Sequence, residues 1–105
     1  MYAIIASKPG QYKAHVCGDA AVVETYEYMF YGKVKAVYQV IELQAEAQIQ
    51  IIEDDPPQAT NTVSTKFLEK FETLEAVRSE LKQLITFGGL EATLRKCDAQ
   101  NIGSN

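Results

Sequence analysis

The sequence predicts an α+β fold: an antiparallel meander of five or six strands packed against a C-terminal amphipathic helix, with a short terminal helix beside it. Three observations lead there. Up to residue 68 the chain is a series of short runs rich in Val, Ile, Tyr and Thr, separated by Gly, Pro and Asp turn chemistry. The two longest runs meet at Tyr31-Gly32-Lys33, a β-hairpin signature. Further on, apolar residues switch to helical spacing, with Leu74, Val77, Leu81, Leu84 and Ile85 on one stripe.

Tyr2 to Ser7 forms the first strand. Lys8-Pro9-Gly10-Gln11 follows as a type II turn, in which Pro9 presets the first central φ and Gly10 takes the positive φ of the second. The chain returns over Tyr12 to Cys17, with Tyr12, Ala14 and Val16 toward the core and Lys13, His15 and Cys17 on the other face. Gly18-Asp19 turns again into a run that starts at Ala21 or Val22.

Val22 to Leu43 is the central hairpin. A Gly32-Lys33 loop of type II′ sets Tyr31 against Val34, Phe30 against Lys35, Tyr28 against Val37, Tyr26 against Gln39 and Glu24 against Ile41. One face then carries Val22, Tyr26, Tyr28, Phe30, Val37, Ile41 and Leu43. The other carries Met29, Tyr31, Val34, Ala36, Tyr38 and Val40 beside Thr25 and Glu27. A hairpin with one solvated face alternates apolar with polar, so two apolar faces call for two covers. One helix supplies the first; the far wall of a curled sheet or another subunit supplies the second.

Gln44 to Ala47 leads into a strand over Gln48 to Glu53, with Ile49 and Ile51 pointing one way and Ile52 the other. Asp54 to Asn61 is an exposed loop, because Pro56 and Pro57 donate no ladder hydrogen bond and Asp55 is held extended before a proline. Thr62 to Leu68 reads as an edge strand with Val63 and Phe67 inward. Thr73 caps the helix that follows, and Gly88-Gly89 ends it. Leu90, Leu94 and Cys97 on one face, with a Glu91 and Arg95 pair at helical spacing, suggest a second short helix. Residues 1–98 then form a single domain and 99–105 a flexible tail.

The totals narrow the function classes. A 105-residue chain with 47% hydrophobic and 23% charged residues carries one core without staples. This is a small acidic protein: its net charge of −4 argues against sequence-independent nucleic-acid binding, which depends on phosphate neutralisation. The start MYAIIASK has neither the charge nor the apolar length of a secretory signal or membrane anchor, so a cytoplasmic location is expected. In that compartment Cys17 and Cys97 stay reduced thiols, whereas an oxidising one would permit a disulfide.

No recognisable catalytic or cofactor motif is present. His15 is the single histidine; with Cys17 and Cys97 it still lacks a fourth zinc ligand, and nothing orients it as the base of a His15–Cys17 nucleophile pair. Glu53-Asp54-Asp55 lacks EF-hand spacing and reads as a solvated acidic loop, and Gly88-Gly89 lacks the lysine of a P-loop. No metal and no cofactor are expected, and whether the chain is an enzyme stays open.

Contact surfaces remain. Tyr26, Tyr28 and Phe30 form an aromatic ladder along one strand face, with Tyr31 and Tyr38 close by. The reading that follows is a non-catalytic binding or assembly module, a homodimer or the companion of a larger protein, using an apolar face of the central hairpin. The alternative is a binder of small apolar molecules, or an enzyme, with a tyrosine-lined cavity between curled sheet and helix and with Glu27 as acid or base. The first reading of the ladder is core, packed beneath the Leu74–Ile85 helix, and a single-stranded nucleic-acid platform with Lys33 and Lys35 at its tip is disfavoured by so few cations.

Overall fold

The structure, a computed structural model, describes residues 1–86 and 92–97. It is α+β, as the pattern predicts. Its strands are β1 (Tyr2–Ser7), β2 (Tyr12–Cys17), β3 (Ala20–Phe30), β4 (Lys33–Leu43), β5 (Gln48–Glu53), β6 (Thr60–Ser64) and β7 (Ala92–Cys97). A 3-10 turn spans Thr65–Phe67 and helix α1 spans Leu74–Thr86. The expected meander is instead two open antiparallel sheets, one ordered β1-β4-β3-β7 and one β2-β5-β6.

The turn after β1 forms as read: Gln11 N–H donates to Lys8 O at 3.0 Å and Gly10 has φ +81°. The central hairpin turns one residue earlier than expected. Tyr31 (φ +51°) and Gly32 (φ +75°) are the two loop residues, the pattern of a type I′ turn, and Phe30 pairs with Lys33. Lys35 is then an extra residue on β4, and Val23 is an extra residue on β3. Between these bulges Tyr28 opposes Ala36, Tyr26 opposes Tyr38 and Glu24 opposes Val40. The one-residue change of register moves Tyr26 and Tyr28 to the face of Tyr38, Ala36 and Val40, away from that of Val37 and Ile41.

Adjacent residues of β4 show what covers each face. Val40 points toward α1 and is buried with Val77 and Leu81, with Tyr2, Ile4, Tyr26, Tyr38, Phe71, Leu74, Leu84 and Leu94 packed around them. Ile41 points the other way and is buried with Ala3, Ile5 and Ile49, with Ala14, Val16, Leu43, Ile51 and Leu68 against them. The larger sheet is therefore the middle of three layers, between the helix and the smaller sheet. Both covers sought for the hairpin come from the same chain over this half of the sheet.

Thr73 caps α1 as expected, its Oγ1 accepting from Ala76 N–H at 3.1 Å. Two assignments need correction. Residues 92–97 are a strand, not a helix: they pair antiparallel with Thr25–Phe30 of β3, and Leu94 faces α1 while Arg95 turns to Glu27. A six-residue window holds both periods, and the unfilled edge of β3 decides between them. Phe67 points outward, 74% exposed, because the 3-10 turn ends strand alternation after Ser64, and Leu68 enters the core in its place. The Gly88-Gly89 cap, Leu90, Glu91 and the 99–105 tail lie outside the described residues. Among the described residues no helix is long and apolar enough to cross a membrane.

Candidate functional site

Of the six residues singled out in the sequence, the fold brings Tyr26, Tyr28, Phe30 and Tyr38 to the helix side of the central sheet. Tyr28 and Tyr38 meet edge to face with centroids 6.3 Å apart. Tyr31, in the turn, stands 67% exposed and packs edge to face on Phe30 at 4.6 Å. The floor beneath Tyr28 and Phe30 is made of two small buried residues: Ala36 opposes Tyr28 on one side and Ala92 opposes Phe30 on the other. Burial raises the hydroxyl pKa of Tyr38, with Tyr28 adding to the effect.

Glu27 is not part of this group. Strand alternation sends it to the opposite face, where it pairs with Arg95 across the ladder. Glu27 therefore does not share the strand face that carries Tyr26 and Tyr28.

A different carboxylate lies among the aromatics. Glu24 is 5% exposed, beside the Val23 bulge, on the same strand face as Tyr26. It accepts from the Tyr26 hydroxyl at 2.9 Å, from Arg78 Nε at 3.2 Å and from Lys96 Nζ at 3.1 Å, and Arg78 Nη2 closes a bidentate pair with it. These bonds, led by that of Arg78, outweigh desolvation and hold the Glu24 pKa down from 4.5 to about 2. Burial and then the Glu24 charge push the Tyr26 hydroxyl up, and Glu24 raises the Arg78 guanidinium further. The cluster joins β3 to α1 and β7, with Arg78 and Lys96 lying 54 and 72 residues beyond Glu24.

Sequence reasoning passed over this cluster, although one signal was present. Glu24 lies at two-residue spacing from Tyr26 and Tyr28, so it shares their inward face, and a carboxylate there requires a cation. Which cation answers it is a matter of tertiary approach.

Beside the cluster, α1 and the β3–β7 edge enclose an open recess of about 300 Å³ lined by Tyr26, Arg78, Leu81, Lys82, Ile85 and Leu94. His15 is exposed on β2, and Cys17 and Cys97 are half-buried free thiols. Burial and the nearby Glu27 raise the Cys97 thiol pKa. Among the described residues no three His, Cys, Asp or Glu side chains gather as a metal site. Set against protein-family models, curated proteins and solved structures, the chain matches none.

Proposed function

We propose that the chain is a non-catalytic binding or assembly module that pairs with a second copy through the aromatic end of its central hairpin. The observation that carries this reading is that, among the described residues, the helix-side core takes in only part of the aromatic ladder. Tyr26 and Tyr38 belong to the helix-side core cluster, whereas Tyr28, Phe30 and Tyr31 fall outside it among the described residues. Half-covered aromatics over an alanine floor have the composition of an interface centre, large and rigid with little side-chain entropy to lose.

Contact by face is favoured over strand addition. Beyond the last β1 pair, Ser7 with Val37, the outer edge of β4 carries Lys33 and the bulged Lys35, charged and irregular features that resist edge pairing.

Analytical ultracentrifugation across low to high micromolar concentration tests this, with Tyr31→Asn as the variant. Asn-Gly is the preferred pair for a type I′ turn, so the variant keeps the hairpin and strengthens it by roughly 0.5 kcal/mol while removing the exposed ring. The wild type is expected to dimerise, and the variant to raise the dissociation constant by about tenfold or more. A wild type that stays monomeric at high concentration, or a variant that dimerises equally well, overturns the reading.

A further inference from the structure

We propose that the recess between α1 and the β3–β7 edge is a binding site for a small anionic amphiphile, a carboxylate carrying an apolar tail. The site is distinct from the hairpin-end surface and stands or falls separately from it.

Arg78, Leu81, Lys82 and Ile85 recur at helical spacing, so a single stripe of α1 faces the recess. Within that stripe charge and apolarity alternate. Leu81 and Ile85, with Leu94 across from them on β7, make an apolar floor, while Arg78 and Lys82 stand at the rim. Lys96 lies two residues beyond Leu94 on the same strand face and converges on Arg78 through Glu24.

The charge balance is opposite to that of the whole chain. The chain carries −4, yet among the described residues the recess is lined by two cations, Arg78 and Lys82, and by no carboxylate, while Lys96 joins Arg78 on the buried Glu24 beside it. The acidic residues of α1, Glu75 and Glu80, do not line the recess. Glu24 holds the Arg78 guanidinium by Nε and Nη2, which leaves its remaining N–H groups directed away from the carboxylate on a side chain that is 44% exposed. A guanidinium fixed in advance loses little entropy on meeting an anion. An uncharged apolar ligand leaves these cations unused, and an inorganic anion leaves the apolar floor wet. A carboxylate with a tail satisfies both.

Octanoate is the probe, titrated into the isotopically labelled full chain and followed by amide chemical shifts. Saturable shifts centred on Arg78, Leu81, Lys82, Ile85, Leu94 and Lys96 are expected. Decanoate should bind more tightly than octanoate and hexanoate less, by roughly fourfold per methylene until the floor is covered. Octanol should bind at least about threefold more weakly than octanoate, and Lys82→Glu should weaken octanoate by a similar factor, with the loss growing as salt is lowered. Lys82 is exposed and outside the Glu24 network, so this variant keeps the fold, which its unliganded spectrum checks. Non-saturable shifts, shifts centred elsewhere, equal binding of octanol and octanoate, or indifference to Lys82→Glu each overturn the proposal. Shifts confined to Tyr28, Phe30 and Tyr31 do so as well, and they assign the ligand to the hairpin end.

Discussion

Glu24 shows how far one residue shapes this molecule. A buried carboxylate costs several kcal/mol of desolvation unless its oxygens are filled, and here Tyr26, Arg78 and Lys96 fill them. Its folded-state pKa lies below the ordinary value of 4.5, at about 2. The contribution to stability is therefore complete above about pH 4.5, and it is lost as pH falls toward 2, where the folded form takes up the proton. Urea denaturation as a function of pH is expected to show an acid limb in this window worth on the order of 2 kcal/mol, reduced from the ideal by the solvent exposure of the two cations. Glu24→Gln should cost about 1–2 kcal/mol at neutral pH and flatten that limb. An unchanged limb in the variant would assign it to other carboxylates. The aromatic residues of the candidate surface were legible at this scale, since their type and two-residue spacing are sequence properties. Strand alternation alone puts Glu24 beside Tyr26 and Tyr28 and sends Glu27 to the other face, whereas the arrival of Tyr38 among these rings depends on the bulge and the register shift, which composition does not encode.

At the scale of elements, strands with strong period-two patterns and firm turn chemistry emerge where expected: β1, β2 and β5 begin and end at the predicted residues. Ambiguity concentrates where a short segment answers to a distant partner. The 3-10 turn after β6 is the clearest case. Thr65 is fully buried, its Oγ1 accepts from Ala47 N–H at 2.9 Å, and its own N–H donates to Ala47 O at 2.9 Å. Lys70 Nζ then donates to the Thr65 and Leu68 carbonyls at 2.5 and 2.8 Å, which holds the turn closed. Thr65→Val keeps the shape and strands the Ala47 donor, so it should cost about 1–3 kcal/mol in a denaturant titration. Thr65→Ser retains the acceptor and should cost under about 1 kcal/mol. Equal losses in the two variants would assign the effect to packing, not to the hydrogen bond.

Across the whole molecule, both cores share β1 and β4, and on β4 Val40 lies on the helix side and Ile41 on the side of the smaller sheet. This arrangement predicts that the three layers unfold as one cooperative unit. Leu81→Ala, in the helix layer, and Ile49→Ala, in the smaller sheet, should each cost about 2–4 kcal/mol. Their effects should add to within about 0.5 kcal/mol, because the two sites share no partner. Far-UV and tyrosine near-UV circular dichroism should report one coincident transition for each variant. Two separated transitions would show the smaller sheet unfolding independently of the helix.

The sequence by itself determined the α+β class, the positions of the early strands, the type II turn at Pro9-Gly10 and the capped amphipathic helix. All of these follow from local dihedral preferences and from periodicity within a single segment. Tertiary structure decided the split into two sheets, the hairpin register, the strand at 92–97 and the Glu24–Arg78–Lys96 cluster. Each of those depends on which distant backbone or side chain satisfies a hydrogen bond or a buried charge. Satisfaction of that kind is a property of approach in space, settled only when the layers pack.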